Sequence, residues 1–337
     1  MPNRTAPSLH RASLDEIARA HDTNTKVTGM QVEPTPPLGT GLLLHDEYVQ
    51  PDAPDPVLDG ASVLQLARRH VSEAQEVLAV DESGGEARTY FITTPSKRVV
   101  VKVQRPHRVR ARTGQEKEAF FLQYLATHGR DDPFPVPRLF GHGREVLPAG
   151  ADGTSLLMEY TVMSHIPGRA IQHTTLKGPM RQAALADLGT VLRRIHALPQ
   201  APLAESGLFP GDRCDDDLAT RLEVPAAGAV SRLHQTGAER LLPESAEALV
   251  RHVIRALPRG GPRVALHANP GPMHTFVDPR TGAFTGLIDF GDAYISHPAL
   301  DLRRWDWHED RLALLEGYQR DGAVGEDFLQ TWRVAVV

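Results

Sequence analysis

This chain of 337 residues has almost no cysteine and no long apolar run. The single cysteine, Cys214, excludes an internal disulfide, and nothing in the sequence indicates an oxidising compartment. No segment approaches the roughly 20 apolar residues of a membrane-spanning helix. The N-terminus also lacks the apolar core of a secretory signal. We therefore expect a cytoplasmic protein that does not enter a membrane.

An excess of positive charge is also lacking. The formal net charge is −5, from 37 Lys and Arg against 42 Asp and Glu. This balance argues against a general nucleic-acid-binding protein. The hydrophobic share of 41% and the charged share of 23% are ordinary for a globular protein with one large or two modest domains. No feature of the sequence indicates an oligomeric state.

The local patterns predict an arm followed by two lobes. Residues 1–60 are rich in Pro, Asp, Thr and Gly, which predicts an extended arm with one short helix beginning at Ser13. Asp59 is a predicted N-cap for the helix that follows it. Residues 61–166 predict a small β-sheet lobe, and residues 167–337 predict a larger helical lobe. This α+β order suits a ligand held in a cleft between two lobes.

Within the small lobe, β-branched and alternating segments predict strands, and one helix follows them. The predicted strands are EVLAV at 76–80, RTYFITT at 88–94, RVVVKVQ at 98–104 and the segment from Thr154 to a Pro-Gly break at 167–168, and the predicted helix is 114–129.

Within the large lobe, apolar spacing predicts a helix over 179–199 that Pro199 ends. Residues 215–257 are also predicted to be helical, with interruptions around EVPAAGA and LLPES. Two strands, HTFVD and AFTGLIDF, flank the turn PRTG and predict a hairpin. The tail from about Ala299 is predicted to be helical.

Three charged residues carry the first indication of chemistry. Asp289 ends a predicted strand beside Gly291, which is a suitable place for a carboxylate that holds Mg²⁺. Lys102 lies in an apolar strand, where an ammonium group is costly unless it is paired. Glu118 begins the apolar stripe of the following helix and can supply that partner. A lysine and glutamate pair with a metal-binding aspartate is typical of protein-kinase-like phosphoryl transfer. An edge-strand lysine, solvated glutamates and a plain strand-ending aspartate are the alternative.

These residues lie among motifs that resemble the aminoglycoside phosphotransferase family, small-molecule kinases with a protein-kinase-like fold. The resemblance covers roughly residues 60–320 and rests on the order and spacing of its pieces. The pieces are EVLAV, RTYFI, VVVKV, PVPRLFG, MSHIPG, LRRIHALP, LHANPGPMH, TFVDPRTGAFTGLIDFGDA and HPALDL.

The resemblance implies a role for each motif. Lys102 would pair with the α- and β-phosphates of ATP or GTP, and Glu118 would hold Lys102. His267 would be the structural histidine that opens the catalytic loop, and Asp289 would bind Mg²⁺. Asp301 is expected to bind backbone near that loop, and His196 to pack in the core. The turn above the phosphates would be Ser83, Gly84 and Gly85, and the hinge that meets the base would be Met163, Ser164, His165 and Ile166.

Two positions depart from the family pattern His-Gly-Asp-Leu, three residues, then Asn. His274 stands at the second metal ligand; an imidazole can serve there, although Mg²⁺ prefers oxygen, and simple packing is the alternative. Asn269 stands at the catalytic aspartate. An amide can accept a hydrogen bond from the acceptor hydroxyl but cannot hold its proton. An engineered change from Asp to Asn would give the same sequence.

The acceptor side is predicted from an acidic, aromatic segment after ALDL. Asp306, Glu309 and Asp310 with Trp305 and Trp307 could bind an amino sugar or another cation. Core tryptophans and a solvated acidic helix face are the alternative.

Two functions from different classes follow. The first is an ATP- and Mg²⁺-dependent O-phosphotransferase with a small hydroxylated acceptor, aminoglycoside- or macrolide-like, and slowed by Asn269. The second is a pseudokinase that binds a nucleotide or small molecule without efficient turnover. Asn269 favours the second, whereas Lys102, Glu118 and Asp289 favour the first.

Overall fold

The computed structural model describes residues 48–111, 114–148, 155–242 and 244–336. Most of the predicted arm, including the predicted helix at Ser13, lies outside these described residues. None of the described helices is long and apolar enough to cross a membrane.

Contacts divide the described chain into two compact units. The first unit comprises residues 48–123 and 137–165, and the second comprises residues 124–136 and 166–336.

The first unit is built on a five-stranded antiparallel sheet with the strand order β1-β2-β3-β5-β4. The four predicted strands are present, and β4 is one that the sequence patterns did not indicate. Two helices belong to this part of the chain, and the second of them ends in the second unit. The elements are α1 (Gly60–Arg68), β1 (Glu76–Asp81), β2 (Ala87–Thr93), β3 (Arg98–Gln104), α2 (Gly114–His128), β4 (Leu139–Pro148) and β5 (Ser155–Ser164).

Strand alternation on β3 separates the core from the opposite face of the sheet. Val99, Val101 and Val103 are buried in the apolar core that α1 covers. Because successive side chains of a strand point to opposite faces, Lys102 lies on the other side of the sheet. At the start of α1 the Asp59 carboxylate accepts a hydrogen bond from a backbone N–H at 2.7 Å, as the sequence predicts.

The second unit is mainly helical and contains two small sheets. The strands β8 and β9 form the predicted hairpin, and β6 pairs with β8, whereas β7 pairs with β10. The helices are α3 (Gly178–His196), α4 (Ala201–Glu205), α5 (Asp215–Thr236), α6 (Ala246–Arg255), α7 (His308–Tyr318) and α8 (Glu326–Ala335), and the strands are β6 (Arg169–Ala170), β7 (Val264–Leu266), β8 (Thr275–Val277), β9 (Phe284–Leu287) and β10 (Tyr294–Ser296).

The predicted interruption around EVPAAGA is wrong. Helix α5 continues through Pro225 and ends at Gly237, which has a φ of 66°. A proline inside a helix removes its own backbone N–H bond and crowds the carbonyl one turn earlier, but here the neighbouring alanines favour helix and Leu218 and Leu222 are buried. The predicted break at LLPES is confirmed, since α6 begins after Ser245, whose side chain caps it.

Two glycines allow the α3 and α7 backbones to touch. A Cβ added to Gly317 would lie 1.7 Å from the carbonyl oxygen of Ala186, and one added to Gly189 would lie 2.1 Å from that of Leu314. These atoms belong to helix backbones and cannot move aside as a flexible side chain would. The contact between α3 and α7 therefore depends on glycine at both positions.

We expect Gly317→Ala to lower the free energy of unfolding by at least about 2 kcal/mol, because the added methyl group forces the two backbones apart. Urea denaturation at constant pH measures the effect. The matched control is Gly228→Ala in α5, where an added Cβ meets only the end of an arginine at 3.6 Å. That change should raise stability by about 0.5–1 kcal/mol through helix propensity. Equal effects of the two substitutions would contradict the close contact.

Candidate active site

The first unit brings the predicted lysine and glutamate together. Lys102 Nζ on β3 lies 2.8 Å from Glu118 Oε2 on α2. The Glu118 side chain is only 1% exposed, whereas that of Lys102 is 15% exposed. The pair is therefore buried at its carboxylate end and partly exposed along the lysine side chain. The neighbouring Glu116 is half-buried and bonds Arg144 at 2.5 Å, so the two glutamates are not equivalent.

The predicted phosphate-covering turn lies between β1 and β2 and is exposed. The Ser83 N–H donates to the Asp81 carboxylate at 2.9 Å, and Arg105 donates to the Gly84 carbonyl at 3.2 Å. Gly85 follows in open space. These hydrogen bonds fix the course of the turn.

The predicted hinge begins at the end of β5. Met163 is buried in the sheet, and the Ser164 N–H donates to the Arg138 carbonyl at 2.8 Å. The His165 N–H donates to a carbonyl of β3 at 3.3 Å, and burial lowers the pKa of its imidazole. Ile166 is buried and belongs to the second unit.

In the second unit, the loop after β7 is held by the buried carboxylate of Asp301. Its two oxygens accept the N–H groups of His267 and Ala268 at 2.8 and 2.7 Å. The His196 imidazole lies 3.0 Å from the same carboxylate, within the core. Ala268 has a φ of 76°, a conformation that costs energy for a residue with a Cβ. The carboxylate thus stabilises a strained turn, and the predicted structural roles of Asp301 and His196 are confirmed.

His267 is a neutral, fully buried part of this loop. Its Nδ1 accepts the Asn269 N–H at 3.2 Å, so its Nε2 carries the proton and donates to the Ile288 carbonyl at 2.9 Å. Burial lowers the pKa of His267 to about 4. The Phe290 ring packs edge-on against the imidazole with centroids 4.5 Å apart. His267 therefore joins the loop to the segment that carries Asp289.

His274 and Asp289 meet at the end of the hairpin. His274 Nδ1 lies 2.8 Å from the Asn269 carbonyl, and because a carbonyl only accepts, this nitrogen must donate. In a neutral imidazole Nε2 then presents a lone pair, and it lies 3.3 Å from Asp289 Oδ2. The imidazole nitrogen and the carboxylate oxygen both offer electron pairs, so at this distance they can share a bound cation or a proton. Asp289 has a φ of 71°, which aspartate tolerates better than most residues.

The side chains of His274 and Asp289 could bind a hard cation that takes the rest of its ligands from other molecules. No cluster of three or more His, Cys, Asp or Glu side chains with ligating geometry occurs in the described ranges. An imidazole and a carboxylate would supply two ligands, and Mg²⁺ commonly takes its remaining ligands from water and phosphates.

Asn269 lines a depression of about 570 Å³ beside this pair. Its carboxamide forms no hydrogen bond with any residue that the structure describes. Met273, His274 and Asp306 also line the depression, together with two residues that sequence reasoning missed, Arg303 and Arg304. Their only signal in the sequence is that they directly follow the ALDL motif.

The predicted acidic patch is divided by the structure. Asp306 is exposed at the depression, whereas Glu309 is exposed at the first turn of α7 and does not line it. Asp310 is buried and receives two parallel hydrogen bonds from Arg181, at 2.8 and 2.6 Å. Trp305 is buried and donates to the Pro270 carbonyl at 3.1 Å. Only Asp306 among the three acids is therefore available at the depression.

The chain matches the phosphotransferase enzyme family over residues 77–332. It belongs to this family. Membership confirms the resemblance seen in the motifs and supports a kinase-type enzyme with a small-molecule acceptor. No curated protein sequence matches the chain.

Solved structures of phosphotransferases share the fold. A macrolide 2'-phosphotransferase from Brachybacterium faecium is 20% identical with a TM-score of 0.52, covering 81% of this chain and 86% of its own. A GDP complex of an aminoglycoside 2'-phosphotransferase variant is 17% identical with a TM-score of 0.52, covering 82% and 87%. The predicted α+β fold with a sheet lobe and a helical lobe is confirmed.

The depressed pKa of His267 predicts acid sensitivity. The unfolded histidine takes up a proton near pH 6.5, whereas the native imidazole does so only near 4, so this stabilising contribution is lost as pH falls through that window. We expect a loss of about 2 kcal/mol from this group between pH 7 and pH 5. Urea denaturation at the two pH values measures it.

An NMR titration of the imidazole tests the cause directly. The His267 ring signal, assigned by its absence in His267→Gln, should stay constant from pH 8 to about pH 5. A titration centred near pH 6.5 would contradict the buried neutral state.

Proposed function

We propose that this chain transfers the γ-phosphoryl group of ATP or GTP to a hydroxyl group of a small molecule, slowly, with Mg²⁺. The buried Lys102–Glu118 ion pair carries the proposal. A carboxylate that is 1% exposed would be costly without its lysine, and that lysine keeps its ammonium group on the face of the sheet away from the core. This arrangement supports binding of a polyanion such as a nucleotide triphosphate.

The second unit supplies the groups that would hold the metal and the acceptor. His274 and Asp289 would bind Mg²⁺, which neutralises phosphate charge when it is bound. The exposed turn Ser83–Gly85 would contact the phosphates, and the hinge from Met163 to Ile166 would contact the base. The depression beside Asn269 would hold the acceptor, with Asp306 at its edge.

Asn269 sets the expected rate. Its side-chain oxygen can accept a hydrogen bond from the acceptor hydroxyl and so orient it, but the amide cannot take the proton. A general base typically contributes about 10²–10⁴-fold to a rate. Phosphoryl transfer depends mainly on positioning and electrostatic stabilisation, so the loss of the base slows the reaction without abolishing it.

We expect ATP or GTP with Mg²⁺ to raise the melting temperature of the chain, because a ligand at 100 times its Kd stabilises the folded state by about 2.7 kcal/mol. Lys102→Ala should remove most of the shift, since Glu118 then repels the phosphates. Lys177→Ala, which removes an exposed lysine before α3, is the matched control and should leave the shift unchanged. Thermal shift assays with EDTA in place of Mg²⁺ complete the set.

The nucleotide site would be refuted if neither nucleotide stabilised the chain in the presence of Mg²⁺. A shift that persists in Lys102→Ala would assign nucleotide binding to other residues.

A pseudokinase is the second candidate, and the amide of Asn269 is the observation that favours it. Asn269→Asp separates the two candidates, because it restores a proton acceptor without changing the size of the side chain. For the enzyme, we expect kcat to rise about 10²-fold or more. The measurement is phosphate transfer to a panel that begins with aminoglycosides and macrolides, the substrates in the names of the relatives.

His274→Ala is a suitable negative control for that panel, because it removes a proposed metal ligand and should lower transfer by both forms. If nucleotide binds but Asn269→Asp transfers phosphate to no acceptor faster than the original chain, the binding protein is the better description.

A further inference from the structure

A second depression in the helical unit is apolar and shares two lining residues with the one beside Asn269. It has a volume of about 470 Å³ and is formed by α5, α6 and the end of α8. This volume lies in the range of small-molecule pockets. Its walls include Leu222, Leu233, Leu249, Val250, Val253 and Ile254.

Arg303 and Arg304 line both depressions, so the apolar groove and the Asn269 depression are adjacent at these two side chains. Arg304 is exposed, and its Nε donates to the Ala268 carbonyl at 3.3 Å. The segment therefore contacts the catalytic loop directly. A ligand in the groove that binds these two arginines would therefore lie next to the depression that Asn269 lines.

The Arg303 guanidinium forms neither a hydrogen bond nor an ion pair with any residue in the described ranges. It is half-buried, and this burial lowers its pKa. Tyr294 and Asp301 favour its charge, but neither forms a hydrogen bond or an ion pair with it in the described part of the chain. A desolvated cation without a bonded partner is unfavourable, and an anionic ligand group would relieve that cost.

The charges that line the two depressions have one dominant sign. The groove is lined by Arg232 as well as by Arg303 and Arg304, and no Asp or Glu is among its lining residues in the described chain. Among the described residues that line the Asn269 depression, Asp306 is the one carboxylate. A polycation would meet these arginines, whereas an anion would find charge-assisted donors.

We propose that the acceptor is a hydroxylated amphiphile whose apolar body fills the groove and whose anionic group, such as a carboxylate, binds Arg303 and Arg304. This proposal deepens the proposed function. That the bound molecule is the acceptor, and not only a ligand, rests on the proposed function. The binding that it requires needs neither nucleotide nor catalysis.

Three probes that differ in one end group test the proposal. Calorimetric titrations of the full chain, without nucleotide, compare ω-hydroxydecanoate, decanediol and ω-aminodecanol. We expect the acid to bind at least about tenfold more tightly than the diol, and the amine to bind more weakly than the diol. The apolar chain is common to all three probes. The ranking therefore follows from the charge of the end group that lies beside the two arginines.

Two pairs of matched variants separate the apolar from the ionic contribution. Arg303→Gln should weaken the acid about tenfold and leave the diol unchanged, whereas Arg259→Gln, on an exposed side chain, should change neither. Val250→Asp should weaken all three probes, whereas Val224→Asp, an exposed position of α5 outside the groove, should not. Arg304→Gln, on an exposed side chain, replaces Arg303→Gln if that variant unfolds.

The proposal is overturned if the acid does not bind, if the amine binds as tightly as the acid, or if both arginine variants keep the preference for the acid. Light scattering identifies a competing occupant. A dimer that Val250→Asp converts to a monomer, with no probe bound, would assign the groove to a second copy of the chain. Because these measurements omit nucleotide, their failure leaves the nucleotide test intact, and failure of the nucleotide test leaves the ranking of the probes intact.

Discussion

The buried carboxylate of Asp301 fixes the course of the loop on which the candidate chemistry depends. It accepts two consecutive backbone N–H groups and meets a core histidine, so the strained turn at Ala268 is compensated by charge-assisted hydrogen bonds. The turn directs His267 inward and leaves Asn269 at the surface of a depression. From there the Asn269 carbonyl orients His274, and His274 faces Asp289. Each of these positions follows from the one before it.

Much of the fold followed from local pattern, because strand alternation and apolar helix stripes depend on near neighbours. The pairing of Lys102 with Glu118 was predictable for a different reason, since an ammonium group in an apolar strand needs a partner and the kinase-like order of motifs indicates a glutamate of the next helix. The helix through Pro225 was not predictable, because the burial that stabilises it comes from segments distant in sequence. Likewise, β4 shows no apolar alternation of its own and forms by pairing with β5.

The residues of the acceptor side could not be predicted reliably from the sequence, because the sequence does not show which charged side chains pair with one another in the fold. Asp310 looked available, yet Arg181, 129 residues earlier, binds both of its oxygens. Arg303 gave no signal beyond its place after the ALDL motif, yet it is half-buried and no carboxylate of the described residues bonds it. Asn269, Arg303 and Arg304 all make the site more positive. Asn269 replaces a negatively charged aspartate of the family pattern, and the two arginines add positive charge beside the loop.

The backbone contact of α3 with α7 has a consequence for how this site can diverge. Helix α7 begins just after residues 303–306, and the glycine contact allows it almost no freedom to shift. Trp305 ties the same short segment to the loop from the core side. The outward-facing side chains at 303, 304 and 306 are thus mounted on a rigid support. For the acceptor site that we propose, substitution of a few side chains there would change the preferred acceptor, while the fold and the loop would retain their geometry.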